Sequence, residues 1–121
     1  METHESKEMY LETILRLSSE LKKVRSIDVA NQLGFSRASV SVATKNLKEQ
    51  GYIEILSDNS LKLTSRGEAV ANEVFAKHEA LTSLLKSFGV SDDTAENDAC
   101  RIEHIISDET FTKIKEYLAK N

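Results

Sequence analysis

The feature that most restricts the fold of this chain is the placement of its helix-breaking residues. Among 121 residues there is no proline, and glycine occurs only at positions 34, 51, 67 and 89. Because these two residue types interrupt helices most strongly, the stretches between the glycines can form long helices with few breaks. Apolar residues make up 40% and charged residues 30% of the chain, as in ordinary globular proteins. The sequence therefore predicts a mostly α-helical protein.

Three helices are predicted in the first 51 residues. Apolar residues recur at helical spacing over residues 5–21, which indicates an amphipathic helix. Ser26 is the expected cap of a short helix that ends at Gly34, and Ser36 is the expected cap of a second one that ends at Gly51. Two short helices joined by so short a turn form a helix-turn-helix pattern.

A β-hairpin is predicted directly after the helix-turn-helix. Apolar and polar residues alternate in residues 52–56 and 61–63, and the residues between them are polar turn formers. A helix-turn-helix followed by a hairpin is the arrangement of a winged helix. This hairpin is the only β structure that the sequence predicts.

The rest of the chain is expected to be helical. Ser65 and Glu68 fit a capping box at the start of a long helix. Ser91 is the expected cap of a second helix, and Ser107 or Asp108 starts a third. These helices would form a separate C-terminal domain.

The predicted domains differ in charge. We expect a winged-helix domain in residues 1–66 and a helical domain in residues 67–121. Residues 22–66 contain eight basic and four acidic side chains, net +4, whereas residues 1–21 have net charge −3 and residues 67–121 have net charge −5. A basic segment between acidic flanks is typical of a protein that meets phosphate with one part and collects cations with another.

The second helix of the helix-turn-helix is the predicted DNA-reading element, because such a helix enters the major groove with its N-terminal end. The side chains that we expect it to expose are small hydroxyls and cations, which suit phosphates and base edges. The candidate DNA-contacting residues are Ser36, Arg37, Ser39, Ser41, Thr44 and Lys45, together with Lys62 on the hairpin. Val40, Ala43 and Leu47 are expected to face the core. The alternative is a winged helix that contacts only protein.

Cys100, Glu103 and His104 form a candidate metal site. Their i, i+3, i+4 spacing would place a thiol, a carboxylate and an imidazole on one face of a helix. These donors together suit a transition metal such as Fe(II), Mn(II), Co(II), Ni(II) or Zn(II). The alternative is a buried cysteine beside a surface ion pair.

The same cysteine bears on the cellular compartment. A single cysteine cannot form an internal disulfide, which favours a reducing cytoplasm. The chain has no apolar run near the ~20 residues needed to span a bilayer, and its first residues are polar. We therefore expect a cytoplasmic protein with no membrane partner.

Five stretches, which are spread over nearly the whole length of this chain, resemble a single protein family. They are Glu8-Met9-Tyr10-Leu11-Glu12, the predicted winged helix of residues 26–63, Leu63-Thr64-Ser65-Arg66-Gly67, Lys77-His78 and Asp98-Ala99-Cys100-Arg101-Ile102-Glu103-His104. The last stretch is the most specific. Together they resemble the DtxR/MntR family of metal-dependent bacterial repressors.

The resemblance implies a homodimer that binds double-stranded operator DNA when it is loaded with metal. It implies a primary metal site made of Met9, Cys100, Glu103 and His104. It also implies a second site made of Glu12, His78 and Glu103, with Glu96 as a weaker candidate ligand. The C-terminal helical domain would then be the metal-binding and dimerisation domain.

The resemblance also bears on which metal is bound. Met9 and Cys100 follow the iron-type branch of the family, whereas Glu12 matches a ligand of the manganese-type branch. Fe(II) is therefore the expected metal and Mn(II) the alternative, with Co(II), Ni(II) or Zn(II) as surrogates. Two other functions stay open at this point: a metal enzyme, and a winged-helix regulator that responds to an organic ligand or a partner protein.

Overall fold

The structure is a computed structural model that describes residues 4–120, with side chains from Ser6 onward. The elements in chain order are α1 (His4–Glu20), β1 (Val24–Arg25), α2 (Ser26–Leu33), α3 (Arg37–Glu49), β2 (Ile53–Ile55), β3 (Ser60–Leu63), α4 (Ser65–Ser87), α5 (Asp92–Ile102) and α6 (Asp108–Lys120). The prediction of a mostly helical chain with an N-terminal winged helix-turn-helix is confirmed.

The sheet has one strand more than the predicted hairpin. Strands β2 and β3 form the hairpin, and β1 pairs antiparallel with the other edge of β3, so that the strand order is β1-β3-β2. In this pairing Val24 lies opposite Leu61 and Arg25 lies opposite Ser60. A strand of two residues is too short to show an alternating pattern, so no sequence pattern indicates it.

The turn of the helix-turn-helix follows the prediction. Gly34 has φ 73°, a left-handed conformation that favours glycine, and its N–H closes the end of α2. Ser36 is the cap of α3, and its Oγ accepts the N–H of Ser39 at 3.1 Å. These two residues fix the direction in which α3 leaves the turn.

Two other predicted caps are wrong. Arg25, not Ser26, stands at the cap position of α2, where its N–H donates to the carboxylate of Asp28 at 2.9 Å. Ser26 is the first residue of the helix itself. At α4 the capping oxygen belongs to Thr64, whose Oγ1 accepts an N–H of the first turn at 3.1 Å, and not to Ser65.

Contacts within the chain divide it into two units, residues 1–72 and 73–121. The core of the first unit is apolar and takes side chains from its helices and its sheet. Its largest fully buried apolar members are Leu11, Ile14, Val29, Val40, Leu47 and Ile53. The predicted core face of α3 is therefore confirmed, whereas the domain boundary after residue 66 stays a prediction.

The second unit consists of the later part of α4 with α5 and α6. Its buried apolar side chains are Val74, Leu81, Ala95, Ala99 and Phe111. The break between α4 and α5 contains Gly89, whose φ of 96° a side chain would oppose. In residues 4–120 none of the helices combines the length and apolar character needed to span a bilayer.

Candidate metal centre and DNA-binding surface

The segment that carries Cys100, Glu103 and His104 is only partly helical. Helix α5 ends at Ile102, Glu103 stands at its C-cap, and His104 lies in the turn that follows. The N–H of Ile105 bonds to the carbonyl of Ile102 at 3.0 Å, which tightens the chain after the helix. The prediction that all three residues lie in one helix is therefore wrong for Glu103 and His104, because the helix ends at Ile102.

Three side chains of the second unit that could bind a metal do come together. Nδ1 of His78, on α4, lies 3.3 Å from Oε1 of Glu103 and 3.7 Å from Sγ of Cys100. One donor atom from each residue lies within 4.8 Å of both of the others. His78 and Glu103 are buried, whereas Cys100 is exposed. An imidazole, a carboxylate and a thiol thus form a compact cluster that is open on the thiol side.

The spacing of this cluster fits a single metal ion. Donors bound tetrahedrally at ~2.0–2.3 Å stand roughly 3.4–3.6 Å from one another. The distances of 3.3 Å and 3.7 Å between the donors are close to these values. The side chains are therefore near positions from which they could share one ion.

One carboxylate oxygen of Glu103 lacks a hydrogen-bond partner within the described residues. This oxygen is Oε2, and Glu103 is 1% exposed. A buried carboxylate is costly unless a cation or several donors satisfy it. The exposed thiol and the buried carboxylate also rule out the alternative of a buried cysteine beside a surface ion pair.

The other face of His78 is also occupied. Its Nε2 lies 3.5 Å from Oε1 of Glu96, and the ring of Phe75 stacks on the imidazole with 6.4 Å between centroids. A carboxylate beside the nitrogen that does not bind metal commonly orients a ligating histidine. The position of Glu96 suits that supporting role better than the ligand role that the sequence suggested.

Three further predicted ligands lie outside this cluster, although the ring of His104 offers a nitrogen within 4.8 Å of a carboxylate oxygen of Glu103. Met9 and Glu12 belong to the first unit, on α1, where Oε2 of Glu12 is 3.0 Å from Nη2 of Arg16. His104 is half-buried in the turn after α5. The assignment of Met9, Glu12 and His104 to a metal stays a prediction.

Helix α3 and its N-cap residue present most of the predicted DNA-contacting side chains. Ser36, Arg37, Ser39 and Lys45 are exposed, and Ser41 is half-buried. Val42 is 61% exposed on the same helix and was missed by the sequence analysis. An exposed apolar side chain on a reading helix suits contact with the methyl group of thymine.

Thr44 does not belong to this surface. Its side chain is 2% exposed, and its Oγ1 donates to the carbonyl of Ser41 at 3.1 Å. The expectation that Thr44 offers its hydroxyl to DNA is therefore wrong, because the side chain lies on the buried face of α3.

The hairpin carries charges of both signs. Lys62 is exposed on β3 as predicted, and Glu54 lies opposite it on β2. At the tip, Asp58 bonds to Lys23. The hydrogen bond from Lys23, with two from Ser60, holds the pKa of Asp58 well below its usual range. The local charge of the wing is thus more balanced than its lysine suggested.

Two family models match the chain. The model "Iron dependent repressor, N-terminal DNA binding domain" matches residues 2–61, and the model "Iron dependent repressor, metal binding and dimerisation domain" matches residues 64–121. Transcriptional regulator MntR of Escherichia coli O6:H1 is 33% identical over 112 residues, which cover 93% of this chain and 72% of that protein. The chain belongs to the DtxR/MntR family of metal-dependent transcriptional repressors. This family is not enzymatic, so the prediction that the chain is not an enzyme is confirmed.

Two further relatives extend the comparison. The diphtheria toxin repressor of Corynebacterium diphtheriae is 32% identical over 92% of this chain. A solved manganese-dependent transcriptional repressor in complex with manganese has a TM-score of 0.87 and 25% identity over 93% of this chain. The chain spans about half the length of both, 50% and 52%. Their likeness covers both units of the present chain.

Proposed function

We propose that the chain represses transcription as a homodimer that binds operator DNA when the cluster of His78, Cys100 and Glu103 holds a divalent transition metal. The observation that carries the proposal is the buried Glu103 carboxylate, whose Oε2 has no hydrogen-bond partner in the described residues. A cation at this position would satisfy the charge and use the neighbouring imidazole and thiol. The family model that covers this unit supports the proposal by its description as metal-binding.

Iron is the metal that we propose first. A thiol in the cluster adds a soft donor, which favours Fe(II) over Mn(II), because Mn(II) prefers oxygen ligands. Mn(II) is the alternative, since a similar solved structure is of a manganese-dependent repressor. Because Cys100 is exposed and must stay reduced to bind metal, the cytoplasm is the compartment that we propose.

The resemblance supplies a way for metal to control DNA binding. Met9 and Glu12 of α1 would add ligands from the first unit to those of the second. Ligands shared between the units would fix α1 in position. In a dimer this would keep the two recognition helices ~34 Å apart, which is the spacing of operator half-sites. Shifting the equilibrium between a form that does not bind DNA and a form that does from about 1:99 to 99:1 takes ~5.5 kcal/mol of differential metal binding. Strong structural zinc sites provide ~10 kcal/mol or more, so a weaker regulatory site could still supply it.

Self-association is supported by the second unit. The family model there includes dimerisation in its description. Phe88, Ile105 and Tyr117 are large apolar side chains that this unit leaves exposed. Exposed apolar side chains on a helical unit suit a self-complementary contact between two copies.

The proposal is tested by anaerobic titration of an operator fragment with Fe(II) and with Mn(II), using wild type, Cys100→Ala and Arg37→Ala. Operator fragments can be selected from random duplexes by the metal-loaded protein. Wild type should bind more tightly with metal, Cys100→Ala should lose most of that stimulation, and Arg37→Ala should lose DNA affinity while it still binds metal. Equal stimulation of wild type and Cys100→Ala would contradict the metal assignment. A wild type that binds no duplex under either metal would contradict the repressor function.

A further inference from the structure

Two cations of the first unit surround a single buried tyrosine. The hydroxyl of Tyr52, the residue before β2, accepts hydrogen bonds from Nζ of Lys7 at 3.1 Å and from Nη2 of Arg66 at 3.2 Å. Lys7 Nζ lies 4.8 Å from the centre of the Tyr52 ring, and the guanidinium carbon of Arg66 lies 4.3 Å from it. Both cations therefore share one phenol as acceptor and as a π surface.

No carboxylate balances these cations. In residues 6–120, neither Lys7 nor Arg66 has a carboxylate oxygen within 4.0 Å. The remaining contact of Arg66 is neutral, a bond from Nη1 to the carbonyl of Gln50 at 2.6 Å. The hydrogen bond from Lys7, together with the charges of Lys7 and Arg66, lowers the pKa of Tyr52 against the effect of its burial. Within the described residues the cluster of two cations thus lacks an anionic partner.

Its place in the fold adds to that charge. Lys7 stands in the first turn of α1 and Arg66 is the second residue of α4, so both side chains start from the positive ends of helices. Tyr52 lies between α3 and β2, which are the reading helix and the first strand of the wing. Arg66 is exposed and Lys7 is half-buried, so an anion can reach both. Anions bind readily where helix N-termini and cations coincide.

We propose that Lys7 and Arg66, held in place by Tyr52, bind a phosphodiester group of the operator backbone. The proposal rests on the DNA-binding function inferred above and adds a contact outside the N-terminal half of α3. The phosphate would sit beside two fixed cations whose side chains are already ordered by the phenol, so little side-chain entropy would be lost on binding. The contact would position the duplex and would carry no sequence information.

The test is the salt dependence of DNA affinity for metal-loaded wild type, Lys7→Gln and Arg66→Gln. Each phosphate contact contributes a slope of about −0.9 to a plot of log affinity against log salt. Removal of one cation should make the slope shallower by up to that amount. When salt is raised from about 50 to about 200 mM, the DNA affinity of both proteins should fall. The factor by which it falls should be roughly 3-fold smaller for the variant than for wild type.

Two control variants separate charge from folding. Lys113→Gln makes the same charge change at an exposed lysine of the second unit, paired with Glu116 at 3.7 Å, and its slope should equal that of wild type. Arg66→Lys keeps the charge but loses the fork-shaped donor group, so it should keep most of the slope. If Arg66→Gln does not fold, Lys7→Gln still tests the site against Lys113→Gln.

The possible results are distinct. Shallower slopes for Lys7→Gln and Arg66→Gln, but not for Lys113→Gln, support the phosphate site. Wild-type slopes in both variants, with lower melting temperatures, would mean that the cluster only joins α1 to the wing, and would overturn the proposal. A wild type whose DNA affinity is absent or independent of salt would overturn the DNA-binding function itself.

Discussion

Replacing Glu103 by glutamine should change the stability of the metal-free and the metal-loaded protein in opposite directions. Glu103 is a buried carboxylate with Oε1 3.3 Å from Nδ1 of His78, and within the described residues its Oε2 has no hydrogen-bond partner. Glutamine has nearly the same shape, and its carbonyl can still accept a hydrogen bond from His78. The substitution therefore removes a buried charge but also removes an anionic metal ligand.

The magnitudes follow from burial and from mass action. An unsatisfied buried polar group costs ~1–3 kcal/mol, and a charged one costs more, so the neutral amide should stabilise the metal-free protein by about 1–2 kcal/mol. For a chain of 121 residues this corresponds to a melting temperature higher by roughly 4–8 °C. Metal at about 100 times its dissociation constant should stabilise wild type by ~2.7 kcal/mol, or roughly 10 °C, and Glu103→Gln by much less.

The assay is thermal unfolding followed by far-ultraviolet circular dichroism, under anaerobic conditions, with and without Mn(II). Glu109→Gln makes the same chemical change at an exposed carboxylate of α6 and should stay within about 0.5 kcal/mol of wild type in both conditions. A metal-free Glu103→Gln protein that melts below wild type, and that retains the full shift with Mn(II), would refute the reasoning. In that case the carboxylate would be stabilised by something other than a missing cation.

Four further substitutions test the remaining assignments. Thr44→Val should cost about 1 kcal/mol in urea unfolding, because a buried hydrogen bond is lost, but should leave operator affinity unchanged in a binding titration. Val42→Ala should weaken operator binding only if Val42 contacts the methyl group of a thymine. Replacing that thymine by deoxyuridine should then lower the operator affinity of wild type but not that of the variant. Cys100→Asp should shift metal preference towards Mn(II) in anaerobic titrations of metal binding. Gly67→Ala should lower the free energy of unfolding by about 3 kcal/mol or more, since a Cβ would lie 2.0 Å from the carbonyl oxygen of Tyr52.

Much of the fold could be predicted because local signals agree with the tertiary structure. Gly34 and Ser36 mark the turn of the helix-turn-helix, and both do in the structure what their residue types favour. The β1 strand could not be predicted, since Val24 and Arg25 are strand residues only through pairing with β3. Cap assignments failed where two capping residues adjoin, as at Thr64 and Ser65, because sequence alone does not say which backbone is helical.

Val42, and not Thr44, is exposed on the predicted DNA-binding surface, and the reason is geometric. An α-helix turns by about 100° per residue, so Thr44 lies only about 40° around the helix from Val40, whereas Val42 lies about 160° away. Val40 is fully buried and lies in the apolar stripe that includes Leu47, which places Thr44 inside and Val42 outside. Helical position, and not the hydroxyl chemistry of Thr44, therefore determines which of these two side chains is exposed.

In the candidate metal cluster, residue types and local spacing are informative for two of the three residues. Cys100 and Glu103 could be found from their spacing within one segment. His78 is 22 residues from Cys100 in the chain, and only the family resemblance pointed to it before the structure brought the two within 3.7 Å. Contacts between distant segments depend on packing, which no local pattern encodes.

The two sites have complementary deficits of charge. Within the described residues, Oε2 of Glu103 in the second unit has no hydrogen-bond partner, and Lys7 and Arg66 in the first unit have no carboxylate partner. Such groups cost stability in the free protein and recover it only when a ligand of opposite charge binds. A metal ion would neutralise the carboxylate of Glu103, and a DNA phosphate would neutralise the cations Lys7 and Arg66. Metal and DNA are the two ligands of a metal-dependent repressor. Because the deficits belong to different units, their contributions to DNA affinity are additive unless metal binding alters the DNA site. Departure from additivity between Glu103→Gln and Arg66→Gln therefore measures only the part of the metal–DNA coupling that passes through the Arg66 contact, whereas the whole coupling is the difference in DNA affinity with and without metal.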